Sequence, residues 1–247
     1  MKIAIVVGVS KGLGSAVVEQ LLEQEYEVLG LSRNEPKTSV QDHPSFTYIY
    51  YDAGATHERG NRFQDIVKEI SVQDLSDIVF IYNAAILDPV GKIGTLKDAE
   101  FSKHMEINFV APLELSNQFL AFFQDIQANK RMVFITSGAA SNPVPSWTSY
   151  SSSKAALDMM VKSIAAEQQD TASPVSIIGF NPGIMDTDMQ ATIRSYDENQ
   201  FPAVSQFKQY HSSGRLRSAQ VVAKALLQVV EDPSLRSGTI VSVENYV

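Results

Sequence analysis

The chain has 247 residues, 44% hydrophobic and 19% charged, with a net charge of −8 and a pI near 5.0. That balance suits one large α/β domain or two small ones with a sizeable core and argues against a nucleic-acid surface, which usually needs a basic face. Cysteine is absent, which excludes disulfides, a nucleophilic thiol and thiolate metal sites, and suits a reducing cytoplasm.

The first element is "KIAIVVG" (2–8). This apolar run is short for a signal peptide and lacks a cleavage site, so it reads as a buried strand. No stretch approaches the ~20 apolar residues of a membrane span, and a cytoplasmic protein with no membrane partner is expected. Further strands are expected at 27–32, 46–51, 77–83, 131–137, 174–180 and 238–243. Several are apolar throughout, the pattern of a parallel strand covered on both faces. Helical patterns lie between them near 14–24, 58–70, 98–127, 151–169 and 218–231. This alternation predicts one Rossmann domain over 1–247, an α/β doubly wound parallel sheet of about seven strands with helices on both faces. Residues 184–216 break the rhythm with Met185, Met189, Phe201, Phe207 and Tyr210. Such a segment is either a substrate lid or a surface excursion with two short core-facing helices.

Between the first strand and first helix stands "GVSKGLG", with Gly8, Gly12 and Gly14 spaced G-x-x-x-G-x-G. Glycine permits the tight turn and close backbone approach to a phosphate, and the helix N-terminus offers free N–H groups to a pyrophosphate. Further on, Tyr150 and Lys154 are four apart in "YSSSK". On a helix they share one face, where a cation beside a phenol lowers its pKa. The four histidines, His43, His57, His104 and His211, show no ligand spacing, so no metal is expected.

With "YNAA" (82–85), "IN" (107–108), "ITSGAA" (135–140) and "NPG" (181–183), these motifs, in this order, resemble the short-chain dehydrogenase/reductase family over essentially the whole chain. Ser137 lies 13 residues before Tyr150, the family's spacing. The resemblance implies that Tyr150 is the general acid/base. It implies that Lys154 holds the nicotinamide ribose and lowers the tyrosine pKa. Ser137 would bond the substrate carbonyl, and Asn108 would bend its helix and hold a water of the proton relay. Read alone, Ser137 could simply end a strand and Asn108 could cap or kink a helix. The implied cofactor contacts are Gly8, Ser10, Lys11, Gly12, Leu13, Gly14, Asp52 at the adenine, Asn83, Tyr150, Lys154, Pro182, Gly183 and Thr187. Ala85 departs from the family's N-A-G, where it would crowd the adenosine ribose slightly.

At the end of the second strand "GLSRN" carries Ser32 where an acidic residue would select the ribose 2′-hydroxyl, and Arg33 follows. With Lys11 in the glycine turn, two cations and no carboxylate suit a 2′-phosphate, so NADPH/NADP is the expected cofactor. The alternative is that both are ordinary surface charges. "NPGIMDTDMQ" (181–190) is most similar to the sepiapterin and benzil reductase branch, which implies a bulky aromatic ketone or 1,2-diketone as small-molecule substrate. Ser137, Trp147, Tyr150 and Met189 would line its site, although Trp147 could serve a subunit contact and Met189 the core. Two rivals remain open. A 3-oxoacyl-carrier-protein reductase would need a basic docking patch, for which Lys130, Arg131 and Lys162 are the candidates. A non-catalytic NADPH-sensing protein would tolerate loss of the tyrosine or lysine. The resemblance also implies a homodimer or homotetramer.

Overall fold

The computed structural model describes residues 1–55, 66–67, 70 and 74–247. Most of the helix expected at 58–70 lies outside the described residues. Seven strands are present: β1 (Lys2–Val7), β2 (Glu27–Ser32), β3 (Phe46–Tyr50), β4 (Asp77–Tyr82), β5 (Asn129–Ile135), β6 (Ser176–Asn181) and β7 (Ile240–Ser242). They form one sheet in the order β3-β2-β1-β4-β5-β6-β7, and every pairing is parallel. The α/β doubly wound expectation is met.

The strands are apolar throughout because each is covered twice. In β1, Ala4 and Val6 enter one core while Ile3, Ile5 and Val7 enter the other. This is the period-two alternation of a strand, with both faces buried. Helices α1 (Gly12–Glu23), α2 (Thr38–Gln41) and α8 (Ala219–Glu231) cover the first face through Leu13, Val17, Leu21, Val40, Val222 and Leu226. Helices α4 (Ala111–Phe123) and α5 (Thr148–Glu167) cover the second through Phe119, Phe123, Leu157 and Val161. The strand order reverses between β1 and β4, and the carboxyl ends of these strands open a crevice there.

The single helix expected at 98–127 is instead three pieces. Helix α3 (Asp98–Met105) passes through a π-helical turn, Glu106–Val110, into α4. Pro112 supplies a reason: it has no N–H, so the bond back to the carbonyl of Asn108 cannot form. The chain takes a wider turn, in which the Ala111 N–H reaches Glu106. Residues 184–216 hold α6 (Asp188–Ser195) and α7 (Val204–Ser212). Their two ends are tied together: Asp186 N–H donates to Arg217 O at 2.9 Å, and Arg217 N–H to Ile184 O at 3.1 Å.

Candidate active site

The crevice at the switch point has a volume of about 580 Å³, within the size of a small-molecule site. Gly8, Ser10, Lys11, Gly12 and Leu13 line one side, and Arg33, Asp52 and Asn83 line another. Tyr150, Lys154, Pro182, Thr187 and Met189 close the far end. The glycines divide their labour. Gly8 (φ +91°) and Gly14 face protein: a Cβ on Gly8 would stand 2.8 Å from Ala84 N, and one on Gly14 1.9 Å from Gly8 O. Gly12 (φ +59°) faces open space, with only a Thr187 methyl at 3.6 Å. So two glycines allow packing, and the third keeps a left-handed turn at the crevice wall. Asn83 fastens the turn by donating to Gly8 O at 2.8 Å. No side chain caps the start of α1, and no acidic residue stands in its first turn. Its amide donors therefore suit the phosphates of a dinucleotide.

At the end of β2, Ser32 is buried and its hydroxyl donates to Asn34 O at 2.6 Å. Arg33 is exposed at the crevice, and Lys37, which sequence reasoning passed over, lines it too. The signal was present as a second cation four residues after Arg33. Lys11 differs from expectation: its ammonium pairs with Asp188 at 2.7 Å. Both partners are exposed, so the pair is weak and exchangeable. The carboxylate nevertheless shares the charge that was expected to read a phosphate. Asp52 accepts from Gly54 N–H at 2.8 Å, which fixes its carboxylate at the end of the third strand. Gly183 (φ +66°) turns the chain after Pro182, and its N–H donates to Asn181 Oδ1.

Helix α5 begins at Thr148, so Tyr150 and Lys154 sit one turn apart on the same face. Both are buried. The ammonium lies 5.8 Å from the centre of the phenol ring and donates to Ile135 O at 2.8 Å. Burial pulls the lysine pKa down to about 8, partly opposed by Asp158 one turn further on. The tyrosine corrects the sequence reading. Burial raises its pKa, and the influence opposing this is a hydrogen bond with the Ser137 hydroxyl, not the lysine charge. The phenol is thus held protonated at neutral pH. Ser137 leads the short helical turn Gly138–Ala140 after β5, with its hydroxyl accepting from Ala139 N–H at 3.2 Å.

Asn108 is buried in the π turn. Its Oδ1 accepts from Ile86 N–H and its Nδ2 donates to Ile86 O, both at 2.9 Å. The same Nδ2 stands 3.0 Å from His104 Nε2. The amide is therefore committed to protein partners. Asn108 is not among the residues that line the crevice; its amide ties the π turn to Ile86, which does line it.

On the substrate side a third apolar cluster joins Leu87, Val90, Trp147, Tyr150, Ile193 and Phe201. Trp147 is only 6% exposed. It stacks on Phe201 at 5.0 Å between ring centres and meets Tyr150 edge-on at 5.4 Å. The structure thus uses the indole as the floor on which the two-helix segment rests, while Met189, half-buried, lines the crevice. The segment is an excursion with two helices that places core-facing residues such as Ile193, Phe201 and Val204 in the cluster with Tyr150. Two of the three residues considered as a basic patch for a carrier protein are spent internally, while Lys162 is exposed. Lys130 donates to Gln124 O, Ile126 O and Ser173 Oγ, and Arg131 caps the carbonyls of Val229, Val230 and Asp232. Among the described residues no group of three or more metal-binding side chains is found, and no helix is long and apolar enough to cross a membrane.

Comparison with known proteins agrees with this geometry. The family model described as short chain dehydrogenase matches residues 2–198. The chain is 37% identical over 247 residues to a benzil reductase ((S)-benzoin forming) of Bacillus subtilis, covering 100% of each chain. It is 30% identical over 174 residues to the sepiapterin reductase of Xenopus tropicalis, covering 69% of this chain and 64% of that one. The crystal structure of a short chain dehydrogenase/reductase from Saccharomyces cerevisiae superimposes with a TM-score of 0.85 at 25% identity, covering 98% of this chain and 96% of that one. The glycine turn at the switch point, the buried Tyr150–Lys154 pair and a likeness that runs the full length of the chain make this protein a member of the short-chain dehydrogenase family, oxidoreductases of carbonyl and hydroxyl groups.

Proposed function

We propose that the chain is an NADPH-dependent carbonyl reductase that reduces one carbonyl of a bulky, aromatic-flanked ketone or 1,2-diketone, with benzil as the probe. The observation that carries this reading is the protonated, buried Tyr150 phenol at the meeting point of the crevice and an aromatic cluster. Arg33 and Lys37 would hold the 2′-phosphate, the α1 N-terminus the pyrophosphate, and Lys154 the nicotinamide ribose. Bound NADPH supplies the hydride. Tyr150 gives its phenolic proton to the oxygen on which negative charge develops, and Ser137 donates a second hydrogen bond to it. Lys154, its ammonium 5.8 Å from the centre of the phenol ring, would act through the ribose it holds. Met189 and the segment 184–216 close an apolar cover over a flat ring. The full-length likeness to benzil reductases supports the substrate class.

The test is consumption of NADPH with benzil and with diacetyl, its methyl analogue of equal electronic activation. Efficiency on benzil should be higher by ~10-fold or more, since burying a phenyl ring contributes a few kcal/mol. Tyr150→Phe should cut turnover at least ~10²-fold while leaving cofactor binding nearly intact. Equal efficiency on the two diketones would sink the substrate class. A Tyr150→Phe enzyme that keeps more than a tenth of wild-type turnover would remove the phenol from the mechanism.

A further inference from the structure

One buried titratable group has no part in the chemistry just described. His104, at 0% exposure, lies on α3 four residues before Asn108. Its Nδ1 is 2.7 Å from Asp88 O, which can only accept, so Nδ1 carries a proton. Its Nε2 is 3.0 Å from Asn108 Nδ2 and 2.9 Å from Ser153 Oγ. Ser153 Oγ lies 2.9 Å from Tyr150 O, to which it donates. With that hydroxyl proton spent, Nε2 of a neutral imidazole receives the second Nδ2 proton of Asn108, which also stands 3.4 Å from Ser153 Oγ. Burial, the largest influence, together with the nearby Lys154 charge, holds the imidazole below its usual range, in the same direction.

Three pieces of the site meet at this ring. Asp88 belongs to the loop after β4, and its carboxylate accepts from the Tyr196 hydroxyl at the end of α6 at 2.7 Å. Asn108 holds both backbone groups of Ile86, which lines the crevice. Ser153 holds the backbone of Tyr150 itself, whose ring meets the imidazole edge-on at 6.3 Å. We propose that His104 is a positioning residue: its Nε2 fixes the Asn108 amide and its Nδ1–H fixes Asp88, so that the crevice wall and the Tyr150 turn keep one mutual register. This rests on Tyr150 being the proton donor. An Asn108 amide without its Nε2 acceptor is left with only the longer bond to Ser153 Oγ, 3.4 Å, for its second Nδ2 proton, and turning toward that hydroxyl strains its hold on Ile86.

The variants separate hydrogen bonding from packing. Phe fills the ring volume and bonds nothing. Gln can offer an amide oxygen near the Nε2 position, and Asn an amide N–H near the Nδ1 position only. With benzil and NADPH, His104→Phe should lower kcat by about 10-fold or more, the usual consequence of one buried polar group left unmatched. NADPH affinity, measured by fluorescence titration, should stay within about 2-fold, because no bond to the cofactor loop is lost. His104→Gln should recover to within about 3-fold of wild type by restoring the acceptor, and His104→Asn should lie below it. A His104→Phe enzyme turning over as fast as His104→Gln, or a loss confined to melting temperature with kcat intact, would overturn the inference. Should His104→Phe not fold, equal kcat in His104→Gln and His104→Asn would overturn it instead. A fully active Tyr150→Phe enzyme would refute the proton-donor reading, whatever His104 does.

Discussion

Replacing Arg33 with Asp should shift cofactor choice from NADPH toward NADH. Arg33 is exposed at the crevice and its substitution removes no core contact, so folding stability should change by no more than ~0.5 kcal/mol. The Ser32–Asn34 and Tyr48–Ser32 bonds, 2.6 and 3.0 Å, hold the strand end independently of the guanidinium. Loss of one charge-assisted hydrogen bond to a 2′-phosphate costs about 1.5–3 kcal/mol. The added carboxylate repels the same phosphate and accepts from a free 2′-hydroxyl. At about 1.4 kcal/mol per tenfold, the ratio of kcat/KM for NADPH over NADH should fall by about 10²-fold. Lys37 keeps part of the preference, so the double change Arg33→Asp with Lys37→Ala should fall further. The assay is initial rates with each cofactor at fixed benzil and two ionic strengths. The wild-type preference should shrink with salt, because the site is open to solvent. An unchanged ratio in the double variant would refute the assignment and move the phosphate to Lys11, released from Asp188.

Trp147→Ala should destabilise the fold by about 3–5 kcal/mol, the cost of emptying a buried indole site, whereas Met189→Ala should leave melting nearly unchanged and narrow the benzil-to-diacetyl ratio; the reverse pattern would make Trp147 the substrate wall. Lys154→Met should lower turnover and also change the pH dependence of stability. A lysine depressed from 10.5 to about 8 binds fewer protons folded than unfolded, so the wild type gains stability as pH rises from 8 to 10. The variant lacks that gain, and a stability difference that stays constant over this range would mean that Lys154 is not a buried charge.

The regular part of the fold was legible because its physics is local. Unbroken apolar strands such as 77–82 can only be strands covered on both sides, and the expected ends lie within two residues of those observed. The glycine turn and the Tyr150–Lys154 pair were legible because each needs only near neighbours in sequence. What escaped depends on contacts across the chain. The resemblance announced a bend at Asn108, which the π turn contains, but its physical cause lies in Pro112, whose effect falls four residues earlier. The indole of Trp147 became a floor because Phe201, far along the chain, lies parallel to it within 5°. Lys130 and Arg131 read as a basic patch until their partners in other loops were known. His104 seemed a stray histidine, since its partners Asp88 and Ser153 lie 16 and 49 residues away.

The site is also where local rules are broken, and the breaks fall together. Ser146 takes φ +72° without being glycine, the start of α5 has no side-chain cap, and Lys154 is buried with no carboxylate within ion-pair distance among the described residues. Each costs stability that the surrounding cores must supply. The same departures have one geometric result. The left-handed turn at Ser146 sets Trp147 against Phe201, the bare helix start leaves Tyr150 facing the crevice, and the buried lysine keeps a charge where a phenolate would form. Burial alone would make that phenol a poor acid, since it raises the pKa. The influence that opposes this is the hydrogen bond with the Ser137 hydroxyl. Asp158, one helical turn beyond Lys154, opposes burial by raising the lysine pKa without closing an ion pair with it among the described residues.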